Sequence, residues 1–259
     1  MEFERMKIVP LEDNLWLLDD NGDSSCYLVC GTERAMLIDT CNGYEDLNAI
    51  VRTITDLPLV VVNTHGHGDH IYGNVYFDEA WMHPDDFDLA AEFFSYAKEE
   101  MDKHGLKPCP LKPLAYGQQF DLGGGTVLEV IPLRGHTRGS VALLDRKRRI
   151  IFTGDGTNPH LWMQLDHSAG ISVLAESVEA VIREHGGEFD RVLFGHCHDS
   201  GIDAVIFPQV LAACRKLLAG EVKHEGDPAA WTYKYFAGEC FKYQFGETEH
   251  DIIVYQDIK

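Results

Sequence analysis

The chain has 259 residues, 45% of them hydrophobic and 25% charged, which is the balance of a soluble globular protein able to bury one large core or two modest ones. Its 22 basic and 42 acidic side chains leave a formal charge of −20. So acidic a surface repels polyphosphates and argues against nucleic acid as substrate or partner.

The opening MEFERMKIVPLEDN is acidic and has no apolar run, so no signal peptide is expected. NLWLLDD, SSCYLVC and RAMLIDT follow as three short apolar runs, separated by turn signals at Asn21-Gly22 and Gly31-Thr32, and read as a β-meander. Across residues 44–56, Leu47, Ile50, Val51 and Ile54 recur at helical spacing and predict an amphipathic helix packed on the sheet. Leu59–Val62 is a short buried strand bounded by Pro58. Directly after it come His65, His67, Asp69 and His70, spaced by Gly66 and Gly68. Glycine allows the backbone to double back without a Cβ clash, so imidazoles and a carboxylate converge at a strand end as a metal cradle.

Further on, Ala80-Trp81-Met82 reads as a short strand, and Pro84-Asp85-Asp86 opens a helix that runs to His104 and stops at Gly105. His83 at that start reads as a packing or capping histidine. Residues 105–117 hold three prolines and no periodicity, so an ordered loop is expected. QQFDLGGGTVLEVIPL returns to strands around a Gly123–Gly125 turn, which lacks the spacing of a phosphate-binding loop. Arg146-Lys147-Arg148-Arg149 lies between the strands VALLD and IIFTG as a solvated hairpin turn. Gly135-His136-Thr137, Gly154-Asp155 and Gly195-His196 each follow an apolar strand and place a potential ligand just beyond a glycine. Residues 156–168 carry His160, Trp162, Met163 and His167 without clear period. An aromatic loop there, beside Asp155, reads either as a substrate wall or as Leu161 and Trp162 packing under the next helix. Helices are predicted over SVLAESVEAVIREHG and over 208–219, and late strands over AWTYKYFAGECFKYQF and DIIVYQDI. No apolar run approaches the roughly 20 residues of a membrane-spanning helix. The cysteines are odd in number, irregularly spaced and without C-x-x-C, as in a reduced, cytoplasmic protein.

The order His-x-His-x-Asp-His, Gly-His-Thr, Gly-Asp and Gly-His, from about Leu15 to His196, resembles the metallo-β-lactamase-fold hydrolases of the glyoxalase II and lactonase-like branch. The resemblance implies an α/β fold: a four-layer αββα sandwich of two mixed β-sheets flanked by helices, formed as a single domain over 1–259. It makes 84–117 a candidate lid and 205–259 a C-terminal helix plus strands. It implies two divalent metal ions, zinc first and iron or manganese as alternatives, with His65, His67 and His136 holding one, Asp69, His70 and His196 the other, and Asp155 bridging. Asp39, at the third strand's end, would support the ligand loop by hydrogen bonding. The usual glycine two residues later is Cys41, which reads as a buried packing residue, and the proline expected after Gly-His-Thr is Arg138.

The implied activity is hydrolysis of a small thioester, ester or lactone through a metal-bridging hydroxide, with the leaving group either stabilised by the second metal or protonated through Asp69. His160, Trp162 and His198 are candidate substrate contacts. A β-lactamase fits less well, because lactamases normally lack a bridging carboxylate at the place of Asp155. Two other readings remain: a diiron redox protein of the flavodiiron type, against which stand His67 and the missing flavodoxin domain, and a metal-binding module without turnover. Sequence leaves the substrate, the native metal and the oligomeric state open.

Overall fold

The computed structural model describes residues 3–222, 230–235 and 238–256. The first sheet has seven strands in sequential order. They are β1 (Met6–Glu12), β2 (Leu15–Asp20), β3 (Ser25–Cys30) and β4 (Ala35–Ile38), then β5 (Leu59–Val62) beyond helix α1 (Leu47–Arg52). The short α2 (Gly68–Ile71) leads to β6 (Ala80–Met82), and α3 (Phe87–Tyr96) and α4 (Lys98–His104) lead to β7 (Leu111–Pro113). β1 to β4 are antiparallel, whereas β4, β5, β6 and β7 run parallel. The second sheet holds β8 (Gln119–Asp121), β9 (Val127–Pro132), β10 (Val141–Asp145) and β11 (Ile150–Gly154).

Strand β12 (His160–Met163) leaves that sheet, and α5 (Ile171–His185) returns to it as β13 (Arg191–Phe194), parallel to β11, with β14 (Ile202–Asp203) at the edge. After α6 (Ile206–Leu218), the strands β15 (Ala230–Tyr235), β16 (Gly238–Gln244) and β17 (Ile252–Tyr255) join β12 in a third sheet, in the order β12-β17-β16-β15.

Period-2 alternation sorts side chains to the two faces of each sheet. Leu15, Leu17, Tyr27, Val29, Met36 and Ile38 meet Leu128, Val130, Val141, Leu143 and Phe152 in a core between the first two sheets. The alternate residues Leu18, Cys26, Leu28, Ala35 and Leu37 pack under Leu47, Ile50 and Val51 of α1. On the far side, Ala142, Leu144 and Ile151 pack under Leu174, Val178 and Val181 of α5 and Val210, Cys214 and Leu217 of α6. The α/β architecture with helices on both outer faces is therefore the expected one.

The third sheet is an addition to it. Residues 156–168 are not a loop throughout, because His160–Met163 pairs in parallel with Ile252–Tyr255. The proline-rich 105–117 contains β7 at the sheet edge, where a missing N–H is tolerated. The helix expected from Pro84 to His104 is a short 3₁₀ turn followed by two α-helices, broken at Ala97. The late strands form as expected, though Phe236 and Ala237 lie outside the described residues. Among the described residues no helix is long and apolar enough to cross a membrane.

Candidate metal centre

The residues singled out by their motifs come from five strand ends on one rim of the sandwich. Asp39 follows β4, and His65 to His70 follow β5. His136 follows β9, Asp155 follows β11 and His196 follows β13. Backbone bonds pin these loops across the two sheets: Val141 N donates to Thr64 O at 2.9 Å and Ser25 N to Gly195 O at 2.7 Å. The glycines before Asp155 and His196 are required by close approach. A Cβ on Gly154 would lie 2.1 Å from Thr64 Oγ1, and one on Gly195 would lie 2.3 Å from His70 Cε1.

Among the described residues two clusters, His65, His67 and His136, and Asp69, His70 and His196, each have ligand atoms within 4.8 Å of one another, and a third such group, Asp39, His65 and His70, links them. Asp155 lies between them. Its Oδ2 is 3.2 Å from His196 Nε2, 3.6 Å from His70 Nε2 and 3.7 Å from His136 Nε2. The structure thus brings together every residue proposed as a ligand.

Hydrogen bonds behind the rings determine which nitrogen faces inward. His136 Nδ1 donates to Trp162 O at 2.8 Å, and His196 Nδ1 to Asp23 O at 2.8 Å. His70 Nδ1 donates to Asp39 Oδ2 at 3.1 Å. Asp39 also accepts from Thr64 N at 2.7 Å and from Thr64 Oγ1 at 2.8 Å, while Thr64 Oγ1 lies 3.1 Å from His65 Nδ1. Asp39, through Thr64, therefore connects one cluster to the other. In each of these four rings Nε2 is left to face the centre.

Charge is divided unevenly between the clusters. Burial, reinforced by the neighbouring imidazoles, holds His65 and His67 well below the ordinary histidine value, and burial lowers His136 also. Burial opposes protonation of His70 as well, but the Asp69 and Asp155 carboxylates outweigh it and raise His70 well above its usual value. For His196 burial is again outweighed, chiefly by Asp155, and the ring is pushed up to about 9. Burial would raise Asp155, yet His196 and His70 hold its carboxyl well below the usual range. One cluster is a set of neutral imidazole donors, and the other pairs imidazoles with carboxylates.

These donors fit divalent metal ions. His65 Nε2, His67 Nε2, His70 Nε2 and Asp155 Oδ1 are buried without a hydrogen-bond partner. His67 Nδ1 lies 2.8 Å from His136 Nε2, which accepts because His136 Nδ1 is the donor to Trp162 O, and a bond donated by His67 Nδ1 leaves its buried Nε2 with a free lone pair. Imidazole and carboxylate together suit zinc, iron or manganese.

A cleft of about 790 Å³ opens above both clusters, lined by Phe93, Phe194, Pro159, Leu165 and Trp162 with His160, His198 and His250 around them. The sequence-based substrate contacts His160, Trp162 and His198 all reach it. Trp162 and Leu161 separate by strand alternation: Leu161 is fully buried in the helix-side core, whereas Trp162 lies on the cleft. His198 Nδ1 is 3.2 Å from Asp19 Oδ1, which makes it a rim residue. His83 caps its turn, accepting from Asp85 N at 3.3 Å, and stacks on Tyr116. Cys41 is buried in the core beneath α1.

Phe93, Phe194 and His250 were not legible as cleft residues. Asp86, which read only as an acidic residue at a helix start, is buried against both loops of the tris-histidine cluster.

Residues 19–196 match the model of the metallo-beta-lactamase superfamily. Among curated proteins, the acyl-coenzyme A thioesterase MBLAC2 of Gallus gallus is 29% identical over 157 residues, covering 51% of this chain and 57% of the relative. MBLAC2 of Homo sapiens is 27% identical over 160 residues with the same coverage. The alignment therefore spans little more than half the length of these relatives. Among solved structures, a metallo-beta-lactamase from Pontibacter korlensis superposes with a TM-score of 0.64 at 19% identity, covering 82% of this chain and 99% of that one. The sec-alkylsulfatase Pisa1 from Pseudomonas sp. superposes with a TM-score of 0.65 at 14% identity, covering 83% of this chain and 42% of that one. Such distant structures establish a shared fold alone.

Proposed function

Because the chain belongs to the metallo-beta-lactamase superfamily of metal-dependent hydrolases, we propose that it holds two divalent metal ions, zinc first among them, and hydrolyses a small thioester, ester or lactone. The observation that carries this reading is the position of Asp155 Oδ2, within 3.7 Å of imidazole nitrogens from both clusters, where one carboxylate can serve two ions. His65, His67 and His136 would hold the first ion, Asp69, His70 and His196 the second, and Asp155 would bridge. Bound there, such ions supply Lewis acidity toward a carbonyl oxygen and lower the pKa of water toward neutrality.

The chain's own residues supply the rest. Phe93, Trp162, Phe194, Leu165 and Pro159 offer an apolar wall that takes an acyl group and excludes water from the scissile bond. Asp69 is partly exposed, with Oδ2 3.5 Å from His196 Nε2 and 3.6 Å from His70 Nε2. It can therefore hold a proton at the cleft floor and pass it to the departing sulfur or oxygen. His160 and His198 on the rim orient the polar end of the substrate. The thioesterase relatives support placing thioesters first in a substrate panel.

The test is metal analysis of the purified chain beside a panel of acyl thioesters, esters and lactones, with His136→Ala as control. About two metals per chain are expected, together with hydrolysis that falls by orders of magnitude in the variant. Normal turnover in His136→Ala, or bound metal with no hydrolysis across the panel, would refute the proposal. Redox-active iron without hydrolysis would favour the flavodiiron-like alternative.

A further inference from the structure

Asp86 is 1% exposed, and both of its carboxylate oxygens are turned toward the tris-histidine cluster. Oδ2 accepts from Gly66 N, between His65 and His67, at 2.9 Å, and from Thr137 Oγ1, next to His136, at 2.6 Å. Oδ1 accepts from Gly139 N at 2.7 Å. Thr137 is held a second time by Ser140, whose Oγ lies 3.0 Å from Thr137 N and 2.7 Å from Thr137 Oγ1. The packing leaves no slack, since a Cβ on Gly139 would lie 2.7 Å from Asp86 Cγ.

We propose that Asp86 is the positioning residue of the tris-histidine cluster, one carboxylate clamping the His65–His67 turn and the loop after His136 at a fixed separation. This rests on the metal-centre reading above and adds a residue to it. Arg138, which replaces the proline expected there, is thereby accommodated: the loop is held by its Thr137 hydroxyl and Gly139 N–H rather than by a rigid ring. Burial raises the Asp86 carboxyl, but its bonds from Thr137 Oγ1 and from the Gly139 and Gly66 N–H groups oppose that, and its charge is felt by His136. Asp86 directly precedes α3, whose Phe93 packs edge-on to His67 with ring centroids 5.3 Å apart, so the same anchor joins the ligand turn to one wall of the cleft.

Asp86→Asn keeps the shape but not the pattern of acceptors. An amide can accept from Gly139 N and donate to Thr137 Oγ1, which leaves the Gly66 N–H without a partner. Cobalt(II) is a suitable probe: stepwise affinities come from competition with a chromophoric chelator, and visible absorption reports ligand geometry. A His196→Ala background isolates the tris-histidine cluster.

In that background Asp86→Asn should bind cobalt roughly 10- to 100-fold more weakly, with displaced absorption bands. In the otherwise wild-type chain kcat should fall more than KM changes. Thr137→Val removes one leg of the clamp and leaves the carboxylate, so it should weaken binding in the same direction but less. Should Asp86→Asn fail to fold, Thr137→Val carries the test. Unchanged affinity and spectrum in a folded Asp86→Asn or in Thr137→Val overturns the proposal. So does an equal loss at both clusters accompanied by a lower melting temperature of the metal-free variant, which marks a general structural role. If the unsubstituted chain takes up no cobalt, the metal-centre reading fails with it, and that outcome is separately recognisable.

Discussion

Asp39→Asn separates stability from metal binding more sharply than truncation of a ligand does. Asp39 sits at φ 63°, a left-handed conformation that asparagine adopts readily, so the backbone need not move. If the amide oxygen keeps the bond to Thr64 N, now 2.7 Å, the amide nitrogen faces His70 Nδ1, now 3.1 Å from the carboxylate. A donor there forces the proton of His70 onto Nε2, the atom that faces Asp155 and Asp69 at 3.6 Å. The opposite rotamer places two donors against each other at Thr64 N. Exchanging a charged acceptor for a neutral one costs about 1–2 kcal/mol here, which for a chain of this size lowers Tm by roughly 2–8 °C. Loss of the correct tautomer should weaken the second cluster's metal affinity by a further 10- to 100-fold. Chelator competition gives the affinity, nitrogen-15 spectra of the imidazoles give the tautomer, and melting of metal-free protein gives the stability. A folded variant whose second-site affinity stays within about twofold of the parent would show that the tautomer of His70 does not control the site.

Two further outcomes follow from the same geometry. Leu161→Ala empties a fully buried core position and should cost about 2–5 kcal/mol, whereas Trp162→Ala should alter KM or substrate preference more than Tm. Melting curves and Michaelis kinetics on both variants check this, and the reverse pattern would mean that Trp162 only packs. Metal uptake by the second cluster should weaken on acidification. His196 titrates at about 9 in the metal-free chain, so below that pH the incoming ion must displace its proton. Affinity should fall up to about tenfold per pH unit for each proton released, as competition titrations between about pH 6 and 9 can follow. Affinity independent of pH would show that no such proton is held.

Much of the fold was legible because each sheet strand carries its own alternating apolar residues, and because the ligand motifs sit directly after such runs. What sequence concealed depends on partners distant along the chain. β12 is four residues long, and its strand partner β17 begins at Ile252, so nothing local distinguishes it from a loop. Its alternation, with Leu161 and Met163 inward, was the available signal. β1 carries charged residues and Pro10, tolerable at a sheet edge but a poor strand signal in isolation. The break at Ala97 has neither proline nor glycine to announce it. Asp86 resembled any acidic residue in a first helical turn, and only the folded chain places Gly66 and Gly139 against it. Cys41 adopts φ 55°, which accounts physically for the glycine usual at that place.

The pairing of β12 with β17 gives the molecule two separable inheritances. The ligand loops hang from the first two sheets, whereas the strand presenting His160 and Trp162 to the cleft is laid along a strand from the chain's last tenth. Substitutions around Ile252–Tyr255 can tilt or shift that wall without touching a ligand. Substitution in the tail can then reshape the cleft while the proposed metal centre stays constant, and a library confined to β16 and β17 would be an economical place to search for altered specificity.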